Sequence, residues 1–152
     1  MSNYKATVQW YRNGEDFLNN KYSRGHEWAF DGGTVVAASA SPHIVPLPWS
    51  IEANVDPEEG YIASISSCHM LFFLSIAANR GFQIDSYVDE SIGEMSKNEA
   101  GKWMVSKVTL KPQVDYSGEK QPDSDTASAM HHEAHQECFI ANSIRTEVVV
   151  SI

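Results

Sequence analysis

The chain has 152 residues, 42% of them hydrophobic and 11% aromatic, enough for one domain, residues 1–152, with its own core, and unlike a disordered or low-complexity protein. With 20 acidic against 11 basic residues the formal net charge is -9, which makes nucleic acid and anionic membrane poor partners. The N-terminal Met-Ser-Asn-Tyr-Lys-Ala lacks the charged-then-apolar order of a secretory signal, so a cytoplasmic protein with reduced thiols at rest is expected.

Tyr4 to Tyr11 (YKATVQWY) alternates polar and apolar side chains, and Asn13-Gly14 follows as a turn signal, which predicts a strand entering a hairpin or loop. His26 to Ala38 predicts two short strands separated by Asp31-Gly32-Gly33. From Ser39 to Ala53, prolines at 42, 46 and 48 argue for an irregular loop, because each removes a backbone donor and holds its predecessor extended.

Asp56-Pro57-Glu58-Glu59 is the clearest helix start: an N-cap aspartate, proline at the first helical position, and glutamates favoured by the helix dipole. The helix is expected to end near Asn79-Arg80-Gly81, with glycine taking the left-handed cap, and to span roughly 35 Å. Tyr61 to Ala78 carries no formal charge and approaches the roughly 20 residues of a membrane span. Ser64, Ser66, Ser67, Ser75 and His69 interrupt it, so it reads as a helix surrounded by protein on most sides. Phe82 to Lys97 and Lys102 to Tyr116 predict two long strands forming a hairpin, Pro122-Asp123-Ser124-Asp125 opens a second helix to about Glu137, and Ile144 to Ile152 predicts a closing strand. This order lacks the repeating βαβ of a parallel sheet, so the fold class is α+β.

Cys68 lies mid-helix in Ser66-Ser67-Cys68-His69, and Cys138 ends the second helix in Ala134-His135-Gln136-Glu137-Cys138. On composition alone, two free cysteines read as small buried hydrophobes. A redox role requires a cation to depress one pKa, access for the oxidant, and a second thiol within disulfide reach.

The helix start Asp56-Pro57-Glu58-Glu59, then Cys68 ten residues after Glu58, then Ala134-His135-x-x-Cys138 resembles the OsmC/Ohr family of organic hydroperoxide reductases. Upstream, Ser23-Arg24-Gly25-His26 before Phe30-Asp31-Gly32-Gly33 resembles the family's arginine loop and hairpin, and Ser143 follows Cys138 at a spacing the family also uses. The chain departs from the family at His69, where phenylalanine is frequent, and at Phe139, where proline is usual. The resemblance implies an OsmC-like fold of antiparallel sheets around long central helices, in an intertwined homodimer. It implies that Cys68 attacks an organic hydroperoxide and becomes a sulfenic acid, that Cys138 resolves it to a disulfide, and that an external dithiol, such as a lipoyl group, reduces the disulfide. By the same resemblance Arg24 lowers the Cys68 pKa and binds the peroxide, and Glu58 orients the guanidinium; Arg12 is the rival arginine. No cofactor is implied.

Other readings stay open. His132, His135 and Cys138 recur at three-residue steps, and with His131 they form a cluster of zinc-ligand types. Against a metal site, His132-Glu133-Ala134-His135 is one residue short of the zinc-protease helix pattern, and steps of three rotate each ligand about 60° from the last. The histidines then read as polar positions on a helix face, with His69 lining a pocket beside Cys68. Trp49, Phe72, Phe73 and Phe139 are candidates for an apolar cleft. The alternative function is a redox-sensing or ligand-binding protein of the same fold whose thiols do not turn over.

Overall fold

A computed structural model describes all 152 residues, in two compact units, Met1–Gly60 and Tyr61–Ile152. In the first, β1 (Ala6–Gln9), β2 (His26–Phe30) and β3 (Val35–Ala38) form an antiparallel sheet in the order β1-β2-β3. The β2–β3 hairpin turns where expected: Gly33 takes a φ of 98°, a backbone region that glycine enters without steric penalty. β1 is shorter than the Tyr4–Tyr11 run, and the chain after it makes a 3-10 turn at Phe17–Asn19 that the periodicity does not announce. The proline-containing loop has no helix or strand, and Ser39 Oγ ties it back by accepting the Ile51 N–H at 2.9 Å.

Helix α1 (Pro57–Asn79) begins as the sequence predicts, with Asp56 Oδ1 accepting the Glu59 N–H at 2.8 Å. At its other end Gly81 has φ 83°, Phe82 N–H reaches Ala77 O and Gly81 N–H reaches Ala78 O, the double bond pattern of a glycine-terminated helix. The expectation that α1 is surrounded on most sides does not hold within one chain. Only the stripe Ile65, His69, Phe73 and Ala77 is buried, at the i, i+4 spacing that keeps side chains on one face; Leu71 is 59% exposed. By length and composition α1 is apolar enough to cross a membrane, yet this stripe packs into protein as a core helix does.

The expected long hairpin is present but broken in both arms. Phe82 to Lys97 becomes β4 (Gln83–Asp89) and β5 (Ile92–Lys97), and Lys102 to Tyr116 becomes β6 (Trp103–Leu110) and β7 (Pro112–Ser117). β4 pairs with β7 and β5 with β6, both antiparallel. Asp89 holds the break: its carboxylate accepts from Ser66 Oγ on α1, from Ser91 Oγ, and from Lys111 N–H at 2.6 Å. Helix α2 (Ser124–Glu137) starts with Asp123 accepting the Thr126 N–H at 2.7 Å. The closing strand β8 (Glu147–Val150) pairs parallel to β6.

Two core clusters meet the buried stripe of α1. Ile65 joins Val108 and Leu110 under the β5-β6-β8 sheet, while Phe73 and Ala77 join Phe82, Met130 and Ala134 between β4-β7 and α2. Each fully buried large apolar side chain contributes about 1.5–3 kcal/mol. His69 occupies the stripe between the clusters.

Candidate active site: a thiol pair and an arginine cavity

Cys138 follows the last turn of α2 as its C-cap, with extended backbone and its N–H on Ala134 O at 3.0 Å. Its Sγ accepts the Ala141 N–H at 3.4 Å. Packing of α2 against α1 and β4-β7 brings this thiol, 1% exposed, beside half-buried Cys68, and both cysteines are free. Burial, aided by the neighbouring Cys68 side chain, pushes the Cys138 thiol up to about 11, so at neutral pH Cys138 keeps its proton. Phe72, one turn beyond Cys68, meets Phe139 edge-on with ring centroids 5.0 Å apart. Phe139 is 71% exposed, whereas Phe73 is fully buried core and not cleft lining.

Histidines gather on the same helices. His69 Nε2 lies 3.0 Å from His131 Nδ1 with the rings parallel, and Phe73 stacks on His131 at 3.9 Å. Burial lowers both imidazoles to about 4, opposed by the carboxylate of Asp89, so both are neutral at pH 7. His69 is therefore a buried partner of His131 and not a pocket-lining residue, and His131 is not a solvated helix position. His132, His135 and Cys138 do not converge as a three-ligand metal site.

Arg24 belongs to the first unit. Its guanidinium lies 3.6 Å over the Tyr22 ring centroid, and Nη1 donates to the carbonyls of Tyr22 at 2.6 Å and Asn20 at 3.2 Å. The backbone is fixed on both sides: Arg24 N–H donates to Trp49 O at 2.8 Å, and His26 Nδ1–H donates to Arg24 O at 2.8 Å. His26 Nε2 in turn accepts from Trp28 Nε1, which sets its tautomer. Trp10, Phe17 and Tyr22 pack ring on ring, and with Arg24 and His26 they line an apolar cavity of about 560 Å³. Trp49 supplies a backbone acceptor and does not line this cavity. Arg12 is exposed and donates to Glu15 O.

Glu58, in the first turn of α1, is not bonded to Arg24; its Oε2 is buried with no partner. A buried carboxylate oxygen left without a donor is a costly arrangement, and a guanidinium is the group that best relieves it. The structure thus joins Cys68 to Cys138 and leaves Arg24 and Glu58 apart. The sequence reading missed the Tyr22 stack and the His69–His131 bond. The first had a local signal, an aromatic two residues before Arg24; the second joins two helices and had none.

The family model described as OsmC-like protein matches residues 52–152. The chain belongs to the OsmC family. It is 54% identical to an OsmC-like protein of unknown function from Vibrio cholerae, whose structure superposes with a TM-score of 0.98 over 100% of this chain and 99% of that one. The organic hydroperoxide resistance protein OhrB of Bacillus subtilis shares 19% identity and a TM-score of 0.68, over 99% of this chain and 96% of that one. A similar protein from Elizabethkingia anophelis shares 15% identity and a TM-score of 0.71, over 99% and 93%. At these lower identities the likeness is one of fold. No curated protein matches the chain.

Proposed function

We propose that this protein is a cytoplasmic thiol peroxidase that reduces organic hydroperoxides to alcohols, acting as one domain over residues 1–152. The observation that carries the proposal is the contact between Cys68 and Cys138, 70 residues apart in the chain and both reduced. Cys68 thiolate attacks the terminal peroxide oxygen, the O–O bond breaks, and the alkoxide takes a proton to leave as alcohol. The resulting Cys68 sulfenic acid is attacked by Cys138, whose thiol proton leaves with the hydroxyl as water, giving a disulfide. An external dithiol, lipoyl-bound or small, then takes up the oxidation and restores both thiols.

Arg24 supplies the cation that favours the Cys68 thiolate and binds the peroxide, after leaving the Tyr22 stack and pairing with the unpartnered Glu58 carboxylate. Exposed Leu71 of α1, with half-buried Met70 and Leu74 beside it on the same helix, supports a homodimer in which a second copy covers them.

Intact-mass analysis with thiol counting, after adding one equivalent of an organic hydroperoxide to reduced protein, tests the chemistry. Loss of two hydrogens with both thiols consumed within one chain is expected. Two persistent free thiols would overturn it. Consumption of excess peroxide in the presence of a dithiol separates turnover from a sensor that merely oxidises.

A further inference from the structure

A second pocket, with neither cysteine in its lining, lies between α2 and β8 and has a volume of about 230 Å³. One wall is His131, His132 and His135 with Ser128; the other is Val148 and Val150 of β8 with Ile152 beyond it. His131 and His135 are four residues apart on a regular helix, so both rings project from one face, the spacing by which helices chelate metal ions with two imidazoles. Their nitrogens are already sorted. His131 Nδ1 is engaged with His69 Nε2 at 3.0 Å, and His135 Nδ1 is buried without a partner, which leaves Nε2 as the free nitrogen of each ring lining the pocket.

We propose that His131 and His135 form a two-imidazole chelate for a late first-row divalent transition-metal ion in the pocket between α2 and β8, with His69 as the positioning residue behind His131. Zn²⁺ and Cu²⁺ suit an imidazole site, with Cu²⁺ the tighter. His69 accepts from His131 Nδ1–H, the outer hydrogen bond that fixes a ligating histidine's tautomer and aims its lone pair. The apolar β8 wall limits competing hydration. No group of three or more His, Cys, Asp and Glu side chains is arranged around one point, so water or an incoming ligand fills the remaining positions and the ion stays exchangeable. The site is independent of the peroxidase reading.

Because a dithiol also binds these metals, the experiment uses the full chain carrying Cys68→Ser and Cys138→Ser. Zn²⁺ is titrated calorimetrically at pH 7.5, and the Cu²⁺ complex is examined by electron paramagnetic resonance. One equivalent of Zn²⁺ should bind, weakened at least about tenfold by His135→Ala and by His69→Gln, and the Cu²⁺ spectrum should show coupling to two imidazole nitrogens. His135 is only half-buried, so its substitution leaves the core intact. Absence of saturable Zn²⁺ binding below about 1 mM, unchanged affinity in His135→Ala, or a Cu²⁺ spectrum without imidazole coupling would each overturn the proposal.

Discussion

The cysteines and Arg24 are held by opposite kinds of structure. Cys68 and Cys138 sit on helices packed through buried Phe73, Ala77, Met130 and Ala134, so their meeting is set by the core. Arg24 sits after a stretch containing a 3-10 turn and two residues with positive φ, Asn13 and Asn20. Its guanidinium is held by one aromatic face and two carbonyls, while Glu58 waits unpartnered. Core packing fixes the thiols through many buried contacts, whereas the Arg24 side chain rests on three local ones.

Substitutions at the thiols should have the largest effect. Cys68→Ser should abolish peroxide reduction, and Cys138→Ser should permit one turnover and leave Cys68 overoxidised; a fully active Cys68→Ser enzyme would end the peroxidase reading. Arg24→Ala should slow peroxide consumption by about 10²-fold and Glu58→Gln by about tenfold, without loss of fold by circular dichroism. Wild-type kinetics in Arg24→Ala would move the cation's role to Arg12.

The pKa of Cys138 divides the thiols themselves. With its thiol at about 11, roughly one molecule in a thousand is thiolate there at pH 8. Iodoacetamide should therefore modify Cys68 first, and modification of Cys138 should accelerate as pH rises toward 11. Peptide mapping that finds Cys138 labelled first at pH 8 would contradict the assignment of attacking and resolving roles.

Two smaller effects probe the first unit. Releasing Arg24 by Tyr22→Ala removes a cation–π contact of about 0.5–1 kcal/mol, so the rate constant with peroxide should rise about two- to fivefold; a fall would mean that the stack is the working position. Gly60 touches Trp28, and an added Cβ would come within 2.6 Å of the indole ring. Gly60→Ala gains about 0.8–1 kcal/mol of helix propensity but overpacks at about 1–3 kcal/mol, and a denaturant melt should show net destabilisation of about 1 kcal/mol. A stabilised variant would show that the indole moves freely.

Local chemistry made much of this legible. The caps at Asp56, Asp123 and Gly81 and the hairpin at Gly33 are written in residues that satisfy or turn the backbone where they stand. The break of the long hairpin was not, because Glu90-Ser91 and Lys111 become a corner only when Asp89 reaches both arms. Nor was the parallel pairing of β8, since alternation reports a strand and not its neighbour. At the site, the family resemblance singled out Cys68, Cys138, Arg24 and Glu58 as candidates. It did not reveal the Tyr22 stack, nor that His131 would turn inward to bond His69 across helices.

Asp89 also bears on which changes of chain length this protein tolerates. By accepting from Ser66, Ser91 and the Lys111 backbone, it fixes the corner of one arm opposite the corner of the other. Inserting or deleting one residue between the corner and the tip in either arm would slide β5 against β6 and turn inward side chains outward. Only the tip at residues 98–101 lies outside this constraint: Asn98 closes it through Lys102 and Gly101, and its neighbours are exposed. Within this hairpin, an inserted tag or epitope therefore belongs at that tip.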